Sequence, residues 1–362
     1  RAHLKVNSGA FDYKSAVKSA VDSLADTMKY VTYPTGHTDT LEVAARRAVL
    51  TGVNQTGAKL QVARADEMGV EFFETTAHGG ARPSHAEWQG RQFHRGGAVD
   101  YMGKHYPDFE AATGYGTGAG LCGWNCRHTF FAIFPELGAP PTWTQESLEA
   151  LNARDIEYNG GRYTRYEISQ MQRARERTVR KYKRRYLAED AAGADSTASA
   201  VKLRQARQEL TDFISATGGR ADSARTSVAG FGRSEAGKAS YTARKQERFD
   251  SANVELQQMR EAGTIKAKGK LIESPPAPNE INFASEHVLQ RWAERGMGPM
   301  DAERIIRSSK VAMSQRNGIQ TCYYSEYGFV AIGQNGNVSS IGPLDEGGQK
   351  LMEVVKKHGI PH

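Results

Sequence analysis

Residues 71–135 constrain the fold most, because this long stretch lacks the periodic spacing of apolar side chains that marks helices and strands. A short apolar run at Val70, Phe72 and Phe73 opens it, and glycine, histidine and proline are frequent in the remainder of the stretch. An irregular stretch of this length inside a compact domain is usually functional, or is held by something other than a ladder of helical hydrogen bonds. We therefore expect a functional site here.

Five side chains in and near this stretch are of the types that bind zinc. They are His78, His85, Cys122, Cys126 and His128. Structural zinc takes four such groups in a tetrahedron, and a loop-rich segment with few apolar side chains is the kind that a metal ion can fold. The spacing is not that of a known zinc finger, so a second interpretation stays open. In it the histidines hydrogen-bond the irregular backbone, while Trp88 and Trp124 pack in a small core.

The length and the cysteine count limit the class of protein. A chain of 362 residues suggests two or three domains. Three cysteines are an odd number in a chain of this size, which argues against a disulfide scaffold and for a reducing compartment. No run of 18 apolar residues and no signal peptide appear in the sequence, so no membrane partner is expected. Because the chain begins at Arg1, we also expect that a preceding part is missing.

Helices are predicted on both sides of the irregular stretch. Residues 1–70 show helical spacing, with a first helix that includes Phe11 and Met28 and a second that starts at Leu41 after a break at residues 33–36. Further helices are predicted over residues 164–187, around residues 203–213 up to Gly218, and over residues 241–259.

The helix over residues 164–187 is strongly basic. Residues 160–275 contain 24 Lys and Arg against 14 Asp and Glu, and eight of the cations fall within residues 173–185. The eight predicted nucleic-acid-binding residues are Arg173, Arg175, Arg177, Arg180, Lys181, Lys183, Arg184 and Arg185. DNA is one polyanion that they would bind. An acidic protein surface, or simply water around a charged helix face, are the alternatives.

Consecutive prolines at residues 274–278 predict a linker, because proline neither continues a helix nor donates to a sheet. After it we predict helices over residues 284–295 and 300–308, strands over residues 311–315, 320–325, 328–334 and 337–341, and a last helix over residues 348–357. Asn-Gly pairs between these strands favour hairpins. The pattern is that of a small α+β domain with an antiparallel β-meander.

Three motifs in the first half carry a family resemblance. They read TAHGGARPSHAEWQG at residues 76–90, TGYG at residues 113–116 and GLCGWNCRH at residues 120–128. Together they closely resemble the phage minor capsid protein 2 family, which is similar to the Mu F-like head morphogenesis proteins. The likeness extends upstream over residues 33–37 and 46–55 and downstream over residues 166–185.

The resemblance implies a virion protein of the phage head, made in the host cytoplasm and associated with the portal or the inner capsid. Its expected partners are the portal and major capsid proteins, with packaged DNA. The expected fold is α+β, with a helical and loop-rich minor capsid domain at residues 1–165, a basic helical segment at residues 166–273, and the small α+β domain at residues 279–362.

The C-terminal domain carries a second, less specific resemblance. His287, Arg291 and Arg295 are spaced i, i+4, i+8, which places them on one stripe of a helix. A histidine beside two guanidiniums suits general acid–base work on a phosphodiester. A helix of this kind before a β-meander resembles the toxin nucleases of the barnase, EndoU, colicin E5, colicin D and RelE-like group.

That likeness implies a metal-independent ribonuclease acting on host RNA, with Tyr323, Tyr324, Ser339 or Ser340 completing the site. This sequence has Ser339 and Ser340 where a threonine is often expected. The alternative is a purely structural virion protein whose C-terminal domain binds a partner. The near balance of acids and bases after residue 276 fits that alternative better than it fits a strong RNA binder.

Overall fold

The computed structural model describes residues 30–34, 36–278, 280–283 and 286–361, with the backbone alone at residues 286–288, 291 and 293. The predicted first helix, which includes Phe11 and Met28, lies outside the described residues. The chain forms two compact units, and the boundary between them along the sequence lies between Ala236 and Gly237. The fold is α+β, as predicted. None of the helices described is long and apolar enough to cross a membrane.

The first unit combines helices with several small antiparallel sheets. Its helices are α1 (Leu41–Met68), α2 (Pro83–Ala86), α3 (Phe109–Thr113), α4 (Gln145–Leu151), α5 (Arg165–Ala191), α6 (Thr197–Thr217) and α7 (Ser223–Thr226). Its strands are β1 (Tyr30–Thr32), β2 (Thr38–Thr40), β3 (Phe72–Thr75), β4 (Gln92–His94), β5 (Val99–Tyr101), β6 (Lys104–Tyr106), β7 (Phe130–Ala132), β8 (Ile156–Tyr158) and β9 (Gly161–Tyr163). A short 3₁₀ helix spans Pro135–Leu137.

The irregular stretch is built on the sheet β4-β3-β7. The rings of Phe73, Phe109 and Phe130 meet with centroids 4.9 to 5.1 Å apart, and all three side chains are buried. Ala58 and Ala65 of α1 pack against the same core. Buried aromatic rings on one face of these short strands therefore stabilise a stretch that has no periodic apolar spacing.

Helices α1 and α5 begin where the sequence predicts. Helix α1 starts at Leu41 and ends at Met68, and its C-cap Gly69 adopts the left-handed conformation with φ 65°. Thr164 and Glu167 form a capping box at the start of α5. Strands β1 and β2, on either side of the predicted break at residues 33–36, pair as an antiparallel hairpin, which the helical interpretation of residues 1–70 did not include.

The second unit is a five-stranded antiparallel sheet with helices on both faces. Its elements are α8 (Arg233–Glu261), β10 (Lys270–Glu273), α9 (Glu286–Arg295), α10 (Pro299–Ser308), β11 (Val311–Gln315), a 3₁₀ helix (Arg316–Gly318), β12 (Gln320–Ser325), β13 (Gly328–Gly333), β14 (Val338–Gly342) and α11 (Glu346–Lys357). The strand order is β10-β11-β12-β13-β14, so the predicted β-meander is present with one further strand. Helices α9 and α10 cover one face, and α8 and α11 cover the other.

The proline-rich segment at residues 274–278 lies within this second unit. Leu271 of β10, which precedes the prolines, pairs with Met313 and is buried, and Phe249 and Leu256 of α8 belong to the same core. The predicted segment 166–273 is therefore divided, with α5 to α7 in the first unit. Prolines end strand β10 but do not separate two cores, because the strand before them is already paired.

Candidate metal centre and basic cleft

Three of the five predicted ligands converge in the first unit. The Sγ atom of Cys126 lies 3.7 Å from Nδ1 of His85 and 3.6 Å from Nδ1 of His128. All three ligand atoms lie within 4.8 Å of one another, and the three residues are buried. Helix α2 supplies His85, while Cys126 and His128 come from the loop before β7.

The hydrogen bonds of the two histidines fix their tautomers. Nε2 of His85 lies 2.9 Å from the carbonyl oxygen of Ala119, and a carbonyl only accepts, so Nε2 carries the proton. Nε2 of His128 lies 3.0 Å from Oε1 of Gln89. That oxygen also accepts the backbone N–H of His78, which fixes the orientation of the amide. Both Nδ1 lone pairs therefore face the sulfur of Cys126.

Two residues that the sequence analysis did not single out position these ligands. Asn54 of α1 donates from Nδ2 to the carbonyl oxygens of Cys126 and His128, over 3.1 and 3.0 Å. Gln89 orients the ring of His128. Gln89 lies four residues after His85, a spacing that the motif at residues 76–90 contains, whereas Asn54 is 72 residues away from Cys126 in the sequence.

Burial keeps the cluster uncharged. Burial, with electrostatic repulsion by His78, His85 and Arg82, lowers the pKa of His128 to about 3. Burial also lowers the pKa of His85 and raises the pKa of Cys126. At neutral pH the centre therefore presents two neutral imidazoles and one thiol, and a metal ion would displace the thiol proton.

The other two predicted ligands lie beside the cluster. The ring of His78 stacks on His128 with centroids 4.2 Å apart, and within the described structure its buried Nε2 has no hydrogen-bond partner. Cys122 donates from Sγ to the carbonyl oxygen of His128, and burial raises its pKa to about 12. The alternative packing of two tryptophans is wrong for Trp124, which is 62% exposed, whereas Trp88 is buried.

The metal-ligand cluster opens on a cleft of about 470 Å³. Its basic lining residues, besides the three histidines, are Arg47, Arg82, Arg127, Arg165 and Arg173. None of the residues described as lining the cleft is an aspartate or a glutamate. Trp124 stands at the same cleft, and its carbonyl oxygen accepts a hydrogen bond of 2.6 Å from Arg82.

The part of the chain that contains this centre is similar to a known protein family. The profile of the family described as phage minor capsid protein 2 matches residues 1–215, more than half of the chain. The chain belongs to the phage minor capsid protein 2 family. Comparisons with curated proteins and with solved structures found no match. Membership supports a structural role in the virion, in contact with other virion proteins.

In this minor capsid protein, most cations of the basic helix α5 have partners within the first unit. Lys183 donates to the carbonyl oxygen of Thr226 over 2.6 Å, and Arg180 donates to that of Arg225. Burial, with the charges of Arg207 and Arg180, lowers the pKa of Lys183 to about 8. These buried cations hold the segment around α7 against α5.

Some of the remaining cations of α5 contact other side chains, and others are exposed to solvent. Arg184 pairs with Glu42 of α1, the guanidinium of Arg175 lies 4.0 Å from the ring centroid of Phe213, and Arg173 lines the cleft. Three side chains form an exposed stripe of the helix: Arg177, Lys181 and Arg185. Of these, Arg185 pairs with Glu189 over 2.8 Å.

The predicted catalytic residues of the C-terminal unit lie on α9, β12 and β14. His287, Arg291 and Arg295 do lie on one helix, α9, which contacts β14, but the side chains of the first two lie outside the described structure. Arg295 donates to the carbonyl oxygen of Ile341.

The strand residues proposed for the same site have other partners. Tyr323 packs on the face covered by α9 and α10, where its hydroxyl donates to the carbonyl oxygen of Pro276, whereas Tyr324 packs on the opposite face. The hydroxyl of Ser339 accepts a hydrogen bond from Gln320 and donates to the carbonyl oxygen of Ala331, and Ser340 lies opposite Ala331 in the sheet. Tyr323 and Tyr324 cannot serve one site, because neighbouring residues of a strand point to opposite faces.

Proposed function

We propose that the first unit of this minor capsid protein is stabilised by a zinc ion bound by His85, Cys126 and His128. The observation that carries the proposal is the convergence of two imidazole lone pairs on one sulfur. A single S–H can donate to only one of them, and a buried acceptor without a donor costs about 1–3 kcal/mol. A zinc ion would satisfy all three ligand atoms at once.

The spacing of the ligand atoms supports this assignment. Zn–S bonds of about 2.3 Å and Zn–N bonds of about 2.0–2.1 Å at tetrahedral angles place sulfur and nitrogen about 3.5 Å apart. The two sulfur–nitrogen separations in the cluster are 3.7 and 3.6 Å. The fourth position is left to water or to His78, whose Nε2 has no described partner. In a loop-rich segment such an ion would hold together backbone that regular hydrogen bonding does not.

Metal analysis of the full chain tests the proposal. We expect about one zinc per chain after expression with zinc, and a large loss of zinc in the variant Cys126→Ser. Cys122→Ser is the matched control, because Cys122 lies in the same turn but donates to a carbonyl. Wild-type protein that contains no zinc, or a loss that is equal in the two variants, would refute the assignment.

We further propose that the zinc-stabilised unit associates with the portal or the inner face of the head, and that the exposed stripe Arg177, Lys181 and Arg185 contacts packaged DNA. Family membership supports the first part, and the exposure of these three cations, when their neighbours on α5 are engaged, supports the second. Cross-linking in purified heads is the test. Cross-links to the portal and to DNA are expected, and cross-links confined to the outer surface would contradict the proposal.

A ribonuclease in the second unit is the other candidate activity. One observation favours it: α9, which carries His287, Arg291 and Arg295, lies against β14, which carries Ser339 and Ser340. A host producing the full chain should then grow poorly and show cleaved RNA, and His287→Ala should relieve both effects. His358→Ala is the control, since His358 bonds Glu255 in the same unit. If the wild type is harmless, the unit is a partner-binding module.

A fragment of residues 279–362 is unsuitable for that experiment. It would lack β10 and α8, so it would expose the sheet face that Phe249, Leu256 and Leu271 cover. A fragment of residues 233–362 retains α8 and every strand of the five-stranded sheet.

A further inference from the structure

The cleft beside the metal-ligand cluster concentrates positive charge. Five arginines and three histidines line it, and its described lining contains no carboxylate. Arg47 has an acid partner outside the cleft, Asp39 at 2.7 Å, and Arg165 has only a distant one, Asp155 at 4.0 Å. Among the described residues Arg82 forms no ion pair, and it bonds a backbone carbonyl. Clefts lined by one sign of charge attract ligands of the opposite sign.

Arg173 has no carboxylate partner of its own among the described residues. It is half-buried, and burial together with the charges of Arg225 and Arg127 lowers its pKa. The nearby Glu176 lies 3.7 Å from Arg225 and accepts a hydrogen bond from Gln172. The negative charge of Glu176 offsets part of this repulsion, and a bound anion would offset more of it.

An aromatic surface stands at the same cleft. Trp124 is 62% exposed, although large aromatic side chains usually bury most of their surface. Its ring packs so closely over Gly118 that a Cβ there would overlap it, and Arg82 holds its carbonyl oxygen. The indole is thus fixed in position while its surface stays exposed. Exposed aromatic rings beside a basic groove are the platform on which nucleic-acid bases stack.

We propose that this cleft binds a nucleotide unit of nucleic acid, with its phosphate on Arg82, Arg127 and Arg173 and its base on the ring of Trp124. The cleft volume of about 470 Å³ falls within the range of small-molecule sites. A free nucleotide and an unpaired strand end share this chemistry. The site is distinct from the exposed stripe of α5 and does not require zinc.

Fluorescence anisotropy with the full chain tests the proposal. The probes are labelled single-stranded and double-stranded oligonucleotides of equal length, with a mononucleotide, inorganic phosphate and an acidic peptide as competitors. Each is measured with zinc and with a chelator. We expect the single strand to bind more tightly than the duplex. If the mononucleotide competes at concentrations found in cells, the ligand of the cleft is a free nucleotide. If it competes only weakly, the ligand is an unpaired strand end.

Variants separate the phosphate and base contacts. Trp124→Ala should weaken single-strand binding about 5- to 150-fold, the range for loss of one stacked base. Arg173→Gln should weaken it and reduce the slope of log affinity against log salt by about one. Arg127→Gln is a second phosphate variant in case Arg173→Gln does not fold. The matched control Lys202→Gln changes an exposed cation of α6 that lies outside both the cleft and the exposed stripe of α5.

The outcomes divide cleanly. Unchanged affinity in Trp124→Ala, or an equal loss in Lys202→Gln and the folded cleft variants, overturns the proposal. Tighter binding of the acidic peptide than of the single strand also overturns it and assigns the cleft to a protein partner. If the protein contains no zinc but these variants behave as expected, the cleft binds nucleotides and only the zinc assignment is wrong.

Discussion

The metal-ligand cluster of the first unit and the described residues of the catalytic site predicted in the second differ in whether their polar atoms already have partners in the fold. His85 and His128 keep lone pairs directed at Cys126. Tyr323 and Arg295, by contrast, already bond backbone carbonyls of their own unit. Side chains whose donors and acceptors are used by the fold stabilise the fold, whereas convergent atoms with unused capacity mark a place for a ligand.

Removing zinc should produce the largest change in stability. If the melting temperature of the first unit does not fall, the contrast between the two units is wrong. We expect a chelator to lower the melting temperature of the first unit by about 8–16 °C. A ligand at a thousand times its Kd contributes about 4 kcal/mol, and one kcal/mol shifts a unit of this size by about 2–4 °C. Calorimetry of the wild type and of Cys126→Ser measures this. The second unit, measured as residues 233–362, should be unaffected by the chelator.

Acid should destabilise the metal-free first unit. Because the pKa of His128 falls from 6.5 in the unfolded chain to about 3 in the fold, the unfolded form takes up the proton first. Stability is therefore complete above about pH 6.5 and declines as the pH falls towards 3, by about 1.4 kcal/mol per pH unit for this group. Urea unfolding at several pH values measures the slope. His128→Gln should flatten it, and an unchanged slope in that variant would assign the effect elsewhere.

Gln89→Ala should weaken zinc binding about 10- to 100-fold, because it removes the group that orients His128. Competition with a chromophoric chelator gives the affinity. Gln145→Ala is the control, since that exposed glutamine bonds only Glu149 on its own helix. Equal affinity in both variants would mean that the amide has no positioning role.

Lys183→Met and Lys181→Met should change the stability of the first unit by different amounts, although the two residues are close together on α5. Loss of the bond from Lys183 to Thr226 leaves a carbonyl without its charged donor and should cost about 1–3 kcal/mol. The exposed Lys181 should change stability by less than about 0.5 kcal/mol. Chemical denaturation compares them. A similar small effect in both would show that the buried cation is not structural.

Regular periodicity predicted much of the fold. The helix starts at Leu41 and near Thr164, and the strand Val311–Gln315, follow from apolar spacing and capping residues. The short strands of the irregular stretch could not be predicted in this way, because three or four residues are too few to show alternation of apolar and polar side chains. Strand β10 was missed for the same reason, and its place in the sheet depends on pairing with a strand about 40 residues later.

Sequence alone determined the α+β class, the family motifs and the residue types available for a metal site. Only the tertiary structure decided that His85, Cys126 and His128 meet while Cys122 turns to a carbonyl, and that Lys183 is buried while Lys181 is exposed. The physical reason is that residue type sets what a side chain can bond. Which partner it reaches depends on contacts such as that of Asn54 with the Cys126–His128 loop, which local sequence does not encode.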